Sequence, residues 1–218
     1  MEAQRVSFPS TEAPSLQLEG ALHRPGDGLR GRPAVLLCHP HSLMGGSMDV
    51  PVIVATAEEL AARGVVALRF NFRGVGRSEG EFGEGVAEVA DVAGGVDFLS
   101  AREDVDCAKL YLMGYSFGAS VGLRHVEQDP RIAGVVALSL PLGAMAIGCL
   151  DQDFWTGYAQ PKLFVAGDRD YICPLSELRP LVDSLPQPKE LTVLEGCDHF
   201  LWGREQEVAR AVADFVAV

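Results

Sequence analysis

Five residues, Gly114-Tyr115-Ser116-Phe117-Gly118, constrain this chain more than any other stretch. Lys109 to Met113 ahead of them is a short apolar run of strand type, and Ala119 to Val126 behind them reads as a helix. A serine in Gly-x-Ser-x-Gly at a strand-to-helix junction marks a nucleophile elbow. The turn is sharp enough that only small residues fit on either side, and the serine hydroxyl is left exposed above the sheet. The start of the helix adds a favourable backbone dipole beneath that oxygen. A glycine-rich turn of no chemical importance can carry the same five letters, so the context along the chain has to decide.

That context is a repeated alternation of strand and helix. Residues 4–24 alternate weakly around Gly20 and predict two edge strands or a hairpin. Pro25 to Pro33 reads as a loop from its Gly and Pro content. Ala34 to Cys38 is apolar without alternation, as expected of a parallel strand covered on both faces. A helix is predicted over roughly 50–63, ended by Gly64, then a strand over Val65 to Asn71. Val86, Val89, Ala93, Val96 and Leu99 recur at helical spacing. Further strands are expected at Ile132 to Leu138, at Lys162 to Ala166 and over about 190–195, with a closing helix from Glu205 to Val218. The pattern predicts an α/β fold with a mostly parallel, doubly wound sheet, and a single domain over residues 1–218. Only Pro141 to Gln160 separates two consecutive strands where a lid would be inserted, so a substantial cap domain is excluded by length. Asp151 to Tyr158 could form one short helix there.

Charge and cysteine usage narrow the function classes. A formal net charge of −12 predicts a surface that repels nucleic acid and anionic membranes. No apolar leader opens the chain, and no stretch approaches transmembrane length. Cys38, Cys107, Cys149, Cys173 and Cys197 are odd in number and form no Cys-x-x-Cys pair. They read as free thiols of a reducing, cytoplasmic compartment.

A serine hydroxyl needs an adjacent base, and that base needs an acid to orient it. In chain order the acid is expected after the serine and the base after the acid. His125 stands nine residues along the elbow helix, about 13 Å away, which rules it out as the base. His199, in Cys197-Asp198-His199-Phe200, follows the last strand at the carboxyl edge of the sheet, where such sites assemble. The acid is sought after the strand Lys162 to Ala166. There Asp168 is placed to hold the turn through its own side chain, and Asp170 sits further out, toward the loop of His199. Asp170 is assigned as the acid, and Asp198 as a loop or capping residue. The backbone N–H of Phe117 and, past Pro40, that of His41 are the expected donors to an oxyanion.

Neither a metal nor a dinucleotide is expected. His39 and His41 stand two residues apart, tend to point to opposite sides, and have no third ligand. Gly74-x-Gly76 is followed by Gly80 at the wrong spacing for a dinucleotide loop. The expected partner is a small molecule held in a shallow cleft at the sheet edge. Leu43, Met44, Phe154, Trp155 and Trp202 are its expected walls, and acyl chains up to about six carbons its expected preference.

With these residues in place, the chain resembles the α/β-hydrolase superfamily over nearly its full length. His39 to Gly46, Asn71 to Gly80 and Gly114 to Ala119 look most like small, capless bacterial hydrolases near the dienelactone-hydrolase and esterase groups. The resemblance implies Ser116, Asp170 and His199 as triad, because the family acid usually ends a Gly-x-x-Asp, here Gly167 to Asp170. It also implies Phe117 and His41 as oxyanion donors, although Ser42 stands where that branch carries a second proline. A serine hydrolase acting on an ester, or on a lactone, thioester or amide, is the implied activity. A non-catalytic binding protein on the same fold, and perhydrolysis or carbon–carbon cleavage in the same site, stay open at this level, as does the oligomeric state.

Overall fold

The computed structural model describes residues 3–13, 15–26, 28–148 and 150–217. Eight strands form one sheet in the order β1-β2-β4-β3-β5-β6-β7-β8. Strands β1 (Gln4–Pro9) and β2 (Gln17–His23) make the expected hairpin, and β2 runs antiparallel to β4 (Val66–Phe70). From β4 onward, β3 (Arg32–Cys38), β5 (Val105–Tyr115), β6 (Ile132–Leu138), β7 (Lys162–Gly167) and β8 (Lys189–Leu194) are parallel neighbours.

The two faces of the sheet are buried separately, which is why its central strands show no polar side. In β3, Val35 and Leu37 pack under α1 (Pro51–Ala62) and α6 (Glu205–Val216), while Ala34, Leu36 and Cys38 face the opposite layer. That layer is built from α2 (Glu88–Ser100), α3 (Phe117–Val126), α4 (Gln152–Gly157) and α5 (Leu175–Ser184). The alternation follows from the two-residue period of a strand with helices on both sides.

Three details differ from the pattern in the sequence. Val86 precedes α2 and is 68% exposed, so the apolar stripe of that helix begins at Val89. Strand β5 starts earlier than Lys109, at Val105, with exposed residues in its first half. Helix α5 is not indicated by apolar spacing: it buries only Leu178 and Val182 and carries Pro180 inside it, a residue that normally argues against a helix. Cys149 and Val218 lie outside the described residues.

The chain order reverses at β3. It passes from β3 to β4 on one side, then returns to β5 on the other, with Cys38 level with Gly114. A crevice opens at such a switch point, outside the carboxyl ends of the strands. The loop after β3 and the turn after β5 therefore leave the sheet side by side. Among the described residues, the connection between β6 and β7 adds only a 3-10 turn at Gly143–Met145 and the six-residue α4, so no cap covers this edge.

Candidate active site

Ser116 joins β5 to α3 with φ +52° and ψ −116°, a conformation that non-glycine residues rarely adopt and that costs of the order of 1–3 kcal/mol. Its surroundings hold it there. The Ser116 N–H donates to Leu138 O at 2.8 Å, and its carbonyl accepts from Ala119 N at 2.9 Å and Ser120 N at 3.2 Å. Both flanking glycines are required by close backbone approach. A Cβ on Gly114 would run into Gly118 O and the backbone of Ala119, and one on Gly118 would meet the carbonyls of Cys38 and His39. As first residue of α3, Phe117 has no intrahelical acceptor for its N–H.

Three side chains from three loops stand in one hydrogen-bonded row. Ser116 Oγ lies 2.8 Å from His199 Nε2, and His199 Nδ1 lies 2.9 Å from Asp170 Oδ2 and 3.0 Å from Oδ1. Because Nδ1 faces a carboxylate, it carries the ring proton in the neutral imidazole, and Nε2 is free to accept the serine hydroxyl. All three residues are buried. Burial by itself would raise the Asp170 carboxyl, but the bond from His199 and the N–H of Cys173 outweigh it and hold it below the usual range. Asp170 Oδ1 accepts from Ile172 N and Cys173 N, each at 2.9 Å. The turn after β7 is therefore held by Asp170, and not by Asp168 as the sequence suggests. Asp168 is exposed because it is the first residue beyond the sheet edge. Asp198 caps its own loop by accepting from Phe200 N at 3.0 Å. Tyr115, unassigned in the sequence, donates its phenol to the carbonyl of His199 at 2.8 Å. Its only signal was adjacency to Ser116.

The loop after β3 is set by His39. Its Nδ1 donates to Pro40 O at 2.6 Å, and its Nε2 accepts from Phe72 N at 3.1 Å. That pattern needs the neutral ring, and burial lowers its pKa to about 4, against a weaker opposing effect of the Pro40 bond. His41 follows on the cleft side, its ring 5.0 Å from those of Phe82 and Phe117 and its Nδ1 accepting from Leu43 N at 3.2 Å. The two imidazoles serve different partners, and among the described residues no three His, Cys, Asp or Glu side chains stand together as a metal site.

A cleft of ≈ 580 Å³ opens beside Ser116 and His199. Met44 and Trp202 line it, and the other three expected wall residues do not. Leu43 lies on the 3-10 turn after His41 and is 70% exposed outside the wall. Trp155 is 4% exposed, with its indole N–H donating to Glu127 at 2.7 Å, and Phe154 packs against its ring and that of Tyr158. Helix α4 docks on the C-terminal end of α3 instead of over Ser116, so its aromatics enter the core. The sequence missed Val50 and Pro51 at the start of α1, Met145, Tyr171 and Phe200. Tyr171 and Phe200 each follow a residue of the hydrogen-bonded row, a signal that could have found them. A larger depression of ≈ 820 Å³ lies at the opposite strand ends among Arg24, Arg30, Arg102, Glu103 and Asp104. Its charges pair with one another, Arg30 with Glu103 and Arg102 with Asp104, and it is remote from Ser116.

Residues 31–213 match the family described as alpha/beta hydrolase domain. An uncharacterized protein of Rickettsia prowazekii (strain Madrid E) is 31% identical over 189 residues, covering 84% of this chain and 78% of that protein. Among solved structures, an alpha-beta serine hydrolase homologue from Coxiella burnetii superposes with a TM-score of 0.82 at 30% identity, over 98% of this chain and 97% of that one. A serine hydrolase without lid from Xanthomonas campestris gives a TM-score of 0.77 at 27% identity, over 97% and 95%.

Proposed function

This chain belongs to the alpha/beta hydrolase family, in its lidless form, and from that premise we propose that it is a serine hydrolase cleaving a carboxylic ester through an acyl-enzyme. One observation carries the reading: the unbroken row Ser116 Oγ, His199 Nε2, His199 Nδ1, Asp170 at the mouth of a cleft.

In this reading Ser116 Oγ attacks the carbonyl carbon while its proton passes to His199 Nε2. Asp170 keeps Nδ1 protonated and stabilises the imidazolium that forms. The carbonyl oxygen, now negative, is met by the N–H of Phe117 at the start of α3 and by the N–H of His41. One such donor typically contributes 10²–10³ in rate. His199 then delivers its proton to the leaving oxygen and the alcohol departs. Water then enters, gives a proton to Nε2 and attacks the acyl carbon; the bond to Ser116 Oγ breaks, Oγ takes the proton back from Nε2, and the acid leaves. The neutral His39 supports this by holding Pro40, and with it the start of the His41 loop, in place.

The test is labelling by a fluorophosphonate probe together with turnover of p-nitrophenyl esters. The proposal expects both in the native protein and neither in Ser116→Ala. A native protein that folds, yet neither labels nor turns over any ester, lactone or thioester offered, would identify a binding protein on a hydrolase scaffold.

A further inference from the structure

None of the described residues lining the cleft beside Ser116 is a lysine or an arginine. Among those lining residues the one acidic side chain is Glu205. Glu205 opens α6 and is tied to the rim, where it accepts the Gly203 N–H at 3.1 Å. Its neighbour Arg204 does not neutralise it. That guanidinium donates to Glu207 at 2.7 Å and to the Glu195 carbonyl at 3.1 Å.

The rest of the wall is apolar in an unusual place. Of the eight large hydrophobic side chains exposed among the described residues, five line this cleft: Met44, Met145, Tyr171, Phe200 and Trp202. They continue the wall beside Ser116 outward, so a molecule seated for attack would cover them with its own body. Behind them stands the carboxylate of Asp170, held below the usual range and hydrogen-bonded to His199 Nδ1. The chain as a whole carries −12. An entering carboxylate or phosphate would exchange water for apolar surface, meet no cation, and face carboxylates on the rim and beneath the base. Burying a charge under those conditions is strongly unfavourable.

Resting on the ester-cleaving reading, we propose that this cleft selects by charge: its substrate is an uncharged ester with a bulky apolar body, and esters bearing a carboxylate or phosphate near the scissile bond are excluded. Glu205 is the rim residue that enforces the exclusion. The apolar cluster supplies the affinity.

Two isosteric butanoate esters test this, those of 3-hydroxybenzamide and of 3-hydroxybenzoate, each rate divided by its own hydroxide-catalysed rate. The meta position prevents the carboxylate from assisting its own ester. At low ionic strength kcat/KM is expected to favour the amide-bearing ester by about thirtyfold or more, and 0.5 M salt to narrow the gap. Glu205→Gln, which keeps an acceptor for Gly203, should narrow it by about threefold, a size typical of one part-exposed charge. Trp202→Lys, at a side chain 81% exposed and hence harmless to the fold, should narrow it further by placing a cation at the rim. Equal turnover of both esters, or a gap that ignores both substitutions and salt, would overturn the charge selection while leaving the serine reading intact. Absence of turnover together with an unlabelled Ser116 would bring down the serine reading itself, and the selection with it.

Discussion

The phenol of Tyr115 donates to the backbone carbonyl of His199 at 2.8 Å, across 84 positions of sequence. Tyr115 is the last residue of β5 and Ser116 follows it, so one strand end both presents the serine and pins the backbone of the histidine it meets. Burial, then the charge of Asp170, pushes the Tyr115 hydroxyl well above its ordinary value, so it stays a donor. Tyr115→Phe removes the bond with little change in shape. We expect a loss of about 1 kcal/mol in stability. A roughly tenfold fall in kcat with KM nearly unchanged should accompany it, because the base is less well placed. Urea unfolding and steady-state kinetics on a neutral ester check this, and an unchanged kcat would make the bond purely structural.

Ser116→Ala and Ser116→Gly should both be inactive, by several orders of magnitude, since each removes the nucleophilic oxygen. They should differ in stability. At φ +52° only glycine escapes the backbone strain, so the Gly variant is expected to be the more stable by about 1 kcal/mol. Differential scanning calorimetry of the pair reads the difference. Residual turnover near the native rate in either would remove Ser116 from the mechanism.

Asp170→Asn should lower kcat by orders of magnitude, through the wrong imidazole tautomer and loss of imidazolium stabilisation. Asp168→Asn, at an exposed side chain two residues earlier, should leave kcat within about twofold. The two rates measured side by side decide it. Reversed effects would move the acid to Asp168.

The fold should lose stability on mild acidification, beginning above the range in which carboxylates titrate. His39 is held near pKa 4 by burial, against 6.5 when unfolded. Between those values the unfolded chain takes up a proton that the folded chain refuses, so stability is complete above pH 6.5 and falls as pH drops toward 4. At pH 5 the loss from this one group is about 2 kcal/mol. His23 and His125, also lowered chiefly by burial, act in the same direction. Asp170 acts in the same direction but in a lower window: held below the ordinary 3.8, its contribution is full above that value and is lost as pH falls further. Urea midpoints at pH 7.5 and 5 measure the loss. His39→Asn, which keeps a donor for Pro40 but has no titrating ring, should reduce it, and an unchanged slope would mean that His39 is charged in the native state.

An open, lidless cleft of ≈ 580 Å³ should reward acyl length only until it is filled. Each methylene buried is worth about 0.8 kcal/mol, close to fourfold in kcat/KM. The gain across p-nitrophenyl esters is expected to stop at about six carbons, with no activation at a lipid–water interface. A specificity constant still climbing beyond ten carbons would require a long apolar tunnel instead.

What the sequence settled by itself was local or periodic. Gly-x-Ser-x-Gly dictates a backbone path because no Cβ fits at Gly114 or Gly118, and unbroken apolar runs in β3, β6 and β7 require a sheet buried on both sides. Asp170 and His199 could be nominated from their places just after strands, and the structure sets them within hydrogen-bond reach of one another. Only the tertiary structure decided which side chains wall the cleft. Trp155 and Trp202 look alike on paper, but one finds Glu127 for its indole and enters the core, while the other is left at the rim. Helix α5 forms despite Pro180 because Leu178 and Val182 complete the core under the sheet. The cleft is assembled from the loops after β3, β5, β6, β7 and β8, and no local propensity carries the distances between segments so far apart in sequence. Those are set by how the two helix layers pack on the sheet, a property of the whole chain.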